Sequence, residues 1–305
     1  MEREYRDKDG IVMTREETQS LSPEELSQRS GIALNIVDDT EKLYEEIAKV
    51  MIDTIRKANG QKVTMILPVG PIGQYPVFAR MVKERNIDCR NLWTFNMDEF
   101  LDRNGRPIPQ THPLSFEGIM MESFFNQIPE DLRMPIEQMF FPRYDCMDEM
   151  DRMFDEHAPE GVDLCLAGVG PEGHVAFNEN PNFRHVEVSM GEFLADRTRL
   201  VMVNTSTVDM DALVAGSGDR SSIPPFAVTI GPHDILRAKQ VSIIFYAGKH
   251  QRHPLRETLF RIPTVEFPGT LLKLKKQPDG SVVANDNLTI WATQREAGTV
   301  TTQTI

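Results

Sequence analysis

Glu172, His174 and Glu179 fall within one short stretch, VDLCLAGVGPEGHVAFNE at 162–179. A histidine between carboxylates can handle protons near neutral pH, because a neighbouring negative charge holds the imidazole pKa in a useful range. The apolar run Val162–Leu166 ahead of them has the length of a buried parallel strand. It ends at Gly168 and Gly170, where the chain can turn sharply and bring its backbone close to a ligand. A plain surface turn with a polar tip fits the same pattern, so other groups must separate the two readings.

A second acidic pair, Asp98 and Glu99, closes the apolar run Leu92–Met97. At a strand end, one of two consecutive residues can face a cleft while the other points back into the fold. Beside the apolar approach TFNM a carboxylate is partly desolvated, and its pKa rises toward the range of a general base. A helix cap or a surface pair is the structural alternative. His112, before Pro113, reads as a turn residue, and Ser115 as a helix N-cap. Cys89, Cys146 and Cys165 are too few and too far apart for a disulfide framework or a zinc knuckle. Cys165 lies in an apolar run and reads as a small buried hydrophobe.

These residues need a scaffold, and the pattern around them supplies one. From Thr40, the residues Leu43, Ile47, Val50, Met51 and Ile55 share one helical face, with Asp39 or Thr40 as cap and Gly60 as stop. Strands are expected at Val63–Leu67, Leu92–Met97, Met139–Phe141, Val162–Leu166, Leu200–Val203, Ala227–Ile230, Val241–Ala247 and Leu288–Ala292. Helices are expected around Phe78–Val82, Phe116–Ile128 and Cys146–Phe154. This alternation predicts an α/β fold: a doubly wound, mostly parallel sheet with helices on both faces, a Rossmann-like three-layer αβα arrangement. Ligands bind such sheets outside the carboxyl ends of the strands, where the Gly-rich and acidic turns fall. Residues 1–30 are polar without a sustained apolar period and read as an extension, either mobile or packed over a neighbour; 31–305 read as a single domain. The polar stretch 180–196 reads as a loop with a helical turn, either a lid or a surface insertion.

With 305 residues, 40% of them hydrophobic, the chain can build a sizeable core. A net charge of -13 argues against nucleic acid or an anionic membrane as partner, since either requires a basic face. No run approaches the roughly 18 apolar residues of a membrane span, and MEREYRDKDG lacks a signal-peptide core, so a cytoplasmic location is expected.

The strings LPVG, TFNMDEF, HPLSF, LAGVGPEGHVAFNE and LADRTRL, in this order and spacing, resemble the glucosamine-6-phosphate deaminase family, which shares its fold with 6-phosphogluconolactonase. TFNMDEF and GHVAFNE favour the deaminase branch. The resemblance covers roughly Ile32 to the end. It implies that Asp98 moves a proton between C1 and C2 of an opened sugar, that His174 opens the ring and that Glu179 orients it, with Glu172 beside His174. Gly70, Glu99, Gly170, Lys249 and Arg252 are the implied substrate-binding residues. The implied partner is a sugar or sugar phosphate, with a homo-oligomer left open, and no cofactor or metal is required. A lactonase-like hydrolase, an isomerase of an unphosphorylated sugar and a non-catalytic sugar sensor are the alternative readings; no basic helix-turn-helix segment precedes the domain.

Departures from the family pattern concentrate at two places. Glu172 stands where the family has Asp, one methylene shorter. At the phosphate end, Pro71 and Ile72 follow Gly70 in place of Gly and Thr, Gln251 replaces a lysine, and an arginine has no counterpart near Leu213. Either Lys249, Arg252 or Arg220 takes over a phosphate, the outcome favoured by the basic pair on that turn, or the substrate carries none. Arg197 and Arg199 match a region where some members bind an effector; a solvated pair is the alternative.

Overall fold

Successive side chains on a strand point to opposite faces, so short apolar strands with helices on both sides feed two cores. Along 164–168, Leu164 and Leu166 enter one core while Cys165 and Ala167 enter the other. In chain order the computed structural model, which describes residues 4–184 and 186–300, has strands β1 (Tyr5–Arg6), β2 (Val12–Met13), β3 (Ala33–Val37), β4 (Val63–Leu67), β5 (Leu92–Asn96), β6 (Asp98–Leu101), β7 (Met139–Phe140), β8 (Leu164–Gly168), β9 (Arg199–Met202), β10 (Phe226–Thr229), β11 (Val241–Phe245), β12 (Leu274–Lys276), β13 (Val282–Ala284) and β14 (Leu288–Thr293). Its α-helices are α1 (Arg15–Ser20), α2 (Pro23–Arg29), α3 (Thr40–Lys57), α4 (Gln74–Arg85), α5 (Phe116–Ser123), α6 (Met147–His157), α7 (Met190–Ala195), α8 (Thr205–Val214), α9 (Pro232–Ile235), α10 (Arg252–Phe260) and α11 (Gln294–Ala297).

Seven strands form one parallel sheet in the order β3-β14-β11-β8-β4-β5-β7. The chain runs from β4 outward through β5 to β7, then returns to β8 beside β4 and builds the other half. Strand order therefore reverses between β4 and β8, and a crevice opens at their carboxyl ends. β3 was not foreseen: it is a half-buried edge strand whose alternation is weak.

β9 and β10, expected in the main sheet, lie instead in a separate antiparallel sheet of order β6-β10-β9. The chain leaves the parallel sheet at Met97, whose N–H donates to the Leu67 carbonyl while its own carbonyl accepts from Ile230 N–H. Four-residue apolar runs carry no mark of which partner they pair with, so only the third core cluster, with Phe100, Phe177, Val201 and Ala227, settles their place.

Residues 4–30, expected as an extension either mobile or packed over a neighbour, pack against the rest of the fold. Tyr5, Met13, Leu21 and Leu26 are buried in the main core. Tyr5 Oη donates to Glu257 Oε1 at 2.7 Å, and the buried Arg256 guanidinium donates to the carbonyls of Thr18, Leu21 and Ala297 at 2.9, 2.8 and 3.1 Å. Single apolar residues spaced among polar ones leave no helical period, yet β1 and α1 pack against α10, and α2 against β3 and α11.

Helix ends follow local chemistry. The Asp39 side chain caps α3 by accepting from Lys42 N–H at 2.8 Å. Past Ser123 the expected long helix tightens into a 3-10 turn at Phe125–Gln127. In the 180–196 stretch, α7 buries Phe193 and Leu194. No helix among the described residues is long and apolar enough to cross a membrane.

Candidate active site

The turns after β4, β5, β8 and β11, together with α8, surround a cavity of about 200 Å³. Gly70, Asp98, Gly170 and His174 line it, joined by Asp211 and Tyr246. Close approach explains two glycines. A Cβ on Gly168 would sit 2.6 Å from the Gly70 carbonyl oxygen, and one on Gly170 would lie 2.1 Å from Cε1 of His174. The imidazole therefore rests on the bare backbone of its own loop.

Asp98 opens β6 and is only 6% exposed. Burial pushes its carboxyl up to about 8; Glu99 and Asp211 push the same way, and His174 opposes them. Glu99 points the other way, back into the fold. Its carboxylate accepts from the N–H groups of Phe100, Phe116 and Glu117 at 2.8, 2.9 and 2.8 Å and from Ser115 Oγ at 3.1 Å. It is an anion bound at the N-terminus of α5 and lies outside the cavity lining.

Glu172 and Glu179 are both anchored by the first turn of α8. Glu179 accepts from Asn204 N–H at 2.8 Å and from Thr207 Oγ1 at 2.6 Å. Glu172 Oε1 accepts from Ser206 Oγ at 2.6 Å and lies 2.9 Å from Thr207 Oγ1. The single Thr207 hydroxyl proton serves one carboxylate at a time. Glu172 Oε2 stands 3.7 Å from His174 Nδ1, an ion-pair distance that leaves this ring nitrogen without a hydrogen-bond partner among the described residues. Burial resists ionisation of Glu172, but His174 and Ser206 outweigh it and hold the carboxyl down to about 2. Burial likewise opposes charge on His174, yet Glu172, Glu179 and Asp211 prevail and raise its pKa above the ordinary imidazole value. Ligand atoms of Glu172, His174 and Glu179 lie within 4.8 Å of one another. The three were already neighbours in the linear sequence, and a divalent cation could use them only in competition with the α8 donors.

The basic residues named for the far end are elsewhere. Arg252 donates to the carbonyls of Arg295 and Thr299, both at 2.8 Å, Lys249 is exposed, and Arg220 pairs with Asp209. None lines the cavity. Gln251 does, with Oε1 accepting from the N–H groups of Tyr246 and Ala247 at 2.7 Å each. Arg197 forks onto Asp155 at 2.9 Å, and Arg199 donates to Asn178 Oδ1 at 2.8 Å and pairs with Asp196 at 3.2 Å, so both guanidinium groups are engaged within the fold. His112 Nδ1 accepts from Leu114 N–H at 3.1 Å, a turn contact.

Asp211 escaped the sequence reading. Thr207, Met210, Asp211 and Val214 line the cavity at the i, i+3, i+4, i+7 spacing of one helical face, and this mixture of polar and apolar residues hides the period. Burial raises the Asp211 carboxyl to about 6, with Glu172 and Glu179 adding to the effect and His174 opposing it.

A sequence model described as glucosamine-6-phosphate isomerases/6-phosphogluconolactonase matches residues 38–279. The chain belongs to this family. It is an enzyme of the deaminase, isomerase or hydrolase kind. It is 30% identical over 233 residues to a glucosamine-6-phosphate deaminase of Caenorhabditis elegans, spanning 74% of this chain and 80% of the relative. It is also 30% identical over 239 residues to glucosamine-6-phosphate deaminase 2 of Mus musculus, spanning 74% and 78%. Among solved structures, a monomeric glucosamine-6-phosphate deaminase superposes with a TM-score of 0.68 at 24% identity, covering 87% of this chain and 98% of that one. The 6-phosphogluconolactonase from Trypanosoma cruzi superposes with 0.59 at 15% identity, covering 87% and 96%. These structures share the family fold, the α/β architecture expected from the strand and helix alternation.

Proposed function

We propose that the chain is a deaminating isomerase that converts a 2-amino-2-deoxy aldose into the corresponding ketose and ammonia. The observation that supports this most is the meeting of a desolvated carboxyl, Asp98, with a carboxylate-flanked histidine, His174, in one cavity at the reversal of strand order.

In this reading His174 takes the O1 proton of the cyclic sugar and returns one to the ring oxygen, so the ring opens without net proton change. Glu172 and Glu179, held by α8, stabilise the transient imidazolium. Asp98 then removes the C2 proton. The electron pair forms the C1–C2 double bond of an enolamine, and O1 takes a proton from His174, which has been re-protonated from solvent after ring opening. Asp98 returns its proton to C1, which leaves an iminium at C2. Water adds there and ammonium departs, giving the ketose. One carboxyl with a pKa near working pH can serve as both base and acid in such a transfer. Gly70 and Gly170 give the sugar close approach to backbone.

Incubation with amino sugars in deuterated water tests the reading: ammonia release is expected, with deuterium at C1 of the ketose in the fraction of turnovers in which the Asp98 proton exchanges with solvent before its return. Acid release from 6-phosphogluconolactone without ammonia from any amino sugar would instead assign the chain to the lactonase side of its family.

A further inference from the structure

We infer that the cavity takes an amino sugar whose far end is an uncharged hydroxyl rather than a phosphate dianion. This rests on the deaminating-isomerase reading and adds the substrate class. Neighbouring strands lie about 4.8 Å apart, so the turn after β11 is about 14 Å from the β5 end that carries Asp98, across β4 and β8. The turn at 246–251 is therefore the far wall of the cavity.

A buried phosphate needs backbone N–H donors and a cation. On this wall the first three donors are already used: the Tyr246 and Ala247 N–H groups go to Gln251 Oε1 at 2.7 Å each, and Gly248 N–H goes to Glu296 Oε1 at 2.8 Å. Opposite, Pro71 after Gly70 has no N–H to give. No Lys or Arg is among the described lining residues; the basic side chains there are His174 and His250. Arg295 approaches the turn from behind, with Nη2 on the Tyr246 carbonyl at 2.7 Å and an ion pair to Glu296 at 2.8 Å.

The other ionisable side chains that line the cavity are acidic. Asp98 and Asp211 both face it, and the field of Asp211 reaches Asp98, His174 and Tyr246 alike. A dianion would thus enter beside carboxyl groups with no Lys or Arg to offset it and with His174 already paired to Glu172, whereas a sugar hydroxyl can donate to Asp211. Gln251 fills the place of a cation with a side chain already committed to its own turn.

The test compares kcat/KM for ammonia release from glucosamine and from glucosamine 6-phosphate, with inorganic phosphate as competitor. The expected result is a preference of about tenfold or more for glucosamine, and no competitive inhibition by phosphate at about 10 mM. Val214 lines the cavity and is 74% exposed, so Val214→Arg adds a cation at the rim without opening the core. It should move the ratio toward the 6-phosphate by about tenfold. A parent enzyme that prefers glucosamine 6-phosphate, or competitive inhibition by phosphate, overturns the inference and leaves the deaminase reading standing. An unchanged ratio in Val214→Arg overturns the claim that missing positive charge sets the preference. Absence of ammonia and of C1 deuterium from both sugars overturns the isomerase reading, and the inference with it.

Discussion

Replacing Asp98 by Asn should abolish turnover and, above neutral pH, make the protein more stable. An amide cannot accept the C2 proton, and a positioned general acid/base contributes about 10² to 10⁴ in rate. The stability effect follows from the same burial. The Asp98 carboxyl is raised from 3.8 to about 8, so the folded state retains a proton that the unfolded chain has released. Stability from this group is complete below pH 3.8 and declines as pH rises through about 8, where the folded carboxyl also ionises. At about 1.4 kcal/mol per unit, the shift of roughly four units sets a ceiling of about 6 kcal/mol. Access of water to the cavity lowers the expected gain to about 1–3 kcal/mol. Asn lacks this penalty. Urea unfolding of parent and Asp98→Asn at pH 5 and pH 9 measures it: the variant should gain on the parent by about 1–3 kcal/mol between the two. An equal difference at both pH values would refute the desolvated carboxyl, and retained turnover would refute its role as the base.

The rising limb of the kcat/KM pH profile should fall near pH 8, where Asp98 ionises, and Glu99→Gln should move it to lower pH by removing a neighbouring negative charge. The same substitution removes the anion at the start of α5 and should cost about 1–2 kcal/mol in urea unfolding. Gly170→Ala should displace the imidazole of His174 and lower kcat by about 100-fold while circular dichroism stays unchanged. Arg256→Ala should destabilise by about 2–4 kcal/mol in thermal or urea unfolding, because four carbonyls lose their donor.

Legibility in the sequence followed local physics. The strands at 63–67, 92–96, 164–168 and 241–245 are apolar runs between turn residues, and their type needs no partner to be read. Asp39 and Ser115 announce helix starts because a cap is a contact between residues three apart. The GHVAFNE loop and the acidic pair after TFNM stood out because residue type and position at a strand end are both local facts.

Contacts between distant residues were decided only by the fold. Glu99 differs from Asp98 by one position, and that single step turns its side chain from the cavity into the N-terminus of α5. Arg252 and Lys249 sit near Gln251 in sequence, yet the start of α10 aims Arg252 at Arg295 and Thr299, and Gln251 rather than either of these two cations lines the cavity. Asp211, on a helix with no apolar period, enters because α8 lies over the crevice. Tyr5 and Leu21 reach the core because α10 presents them a surface, 252 residues away in the case of the Tyr5 hydroxyl. The sequence by itself determined most strands of the parallel sheet, the caps, the family and the candidate residues Asp98 and His174, because each depends on residue types over a few positions. Tertiary structure decided which charges face the substrate, because a side chain's direction depends on the packing of its whole element and its partners come from remote parts of the chain.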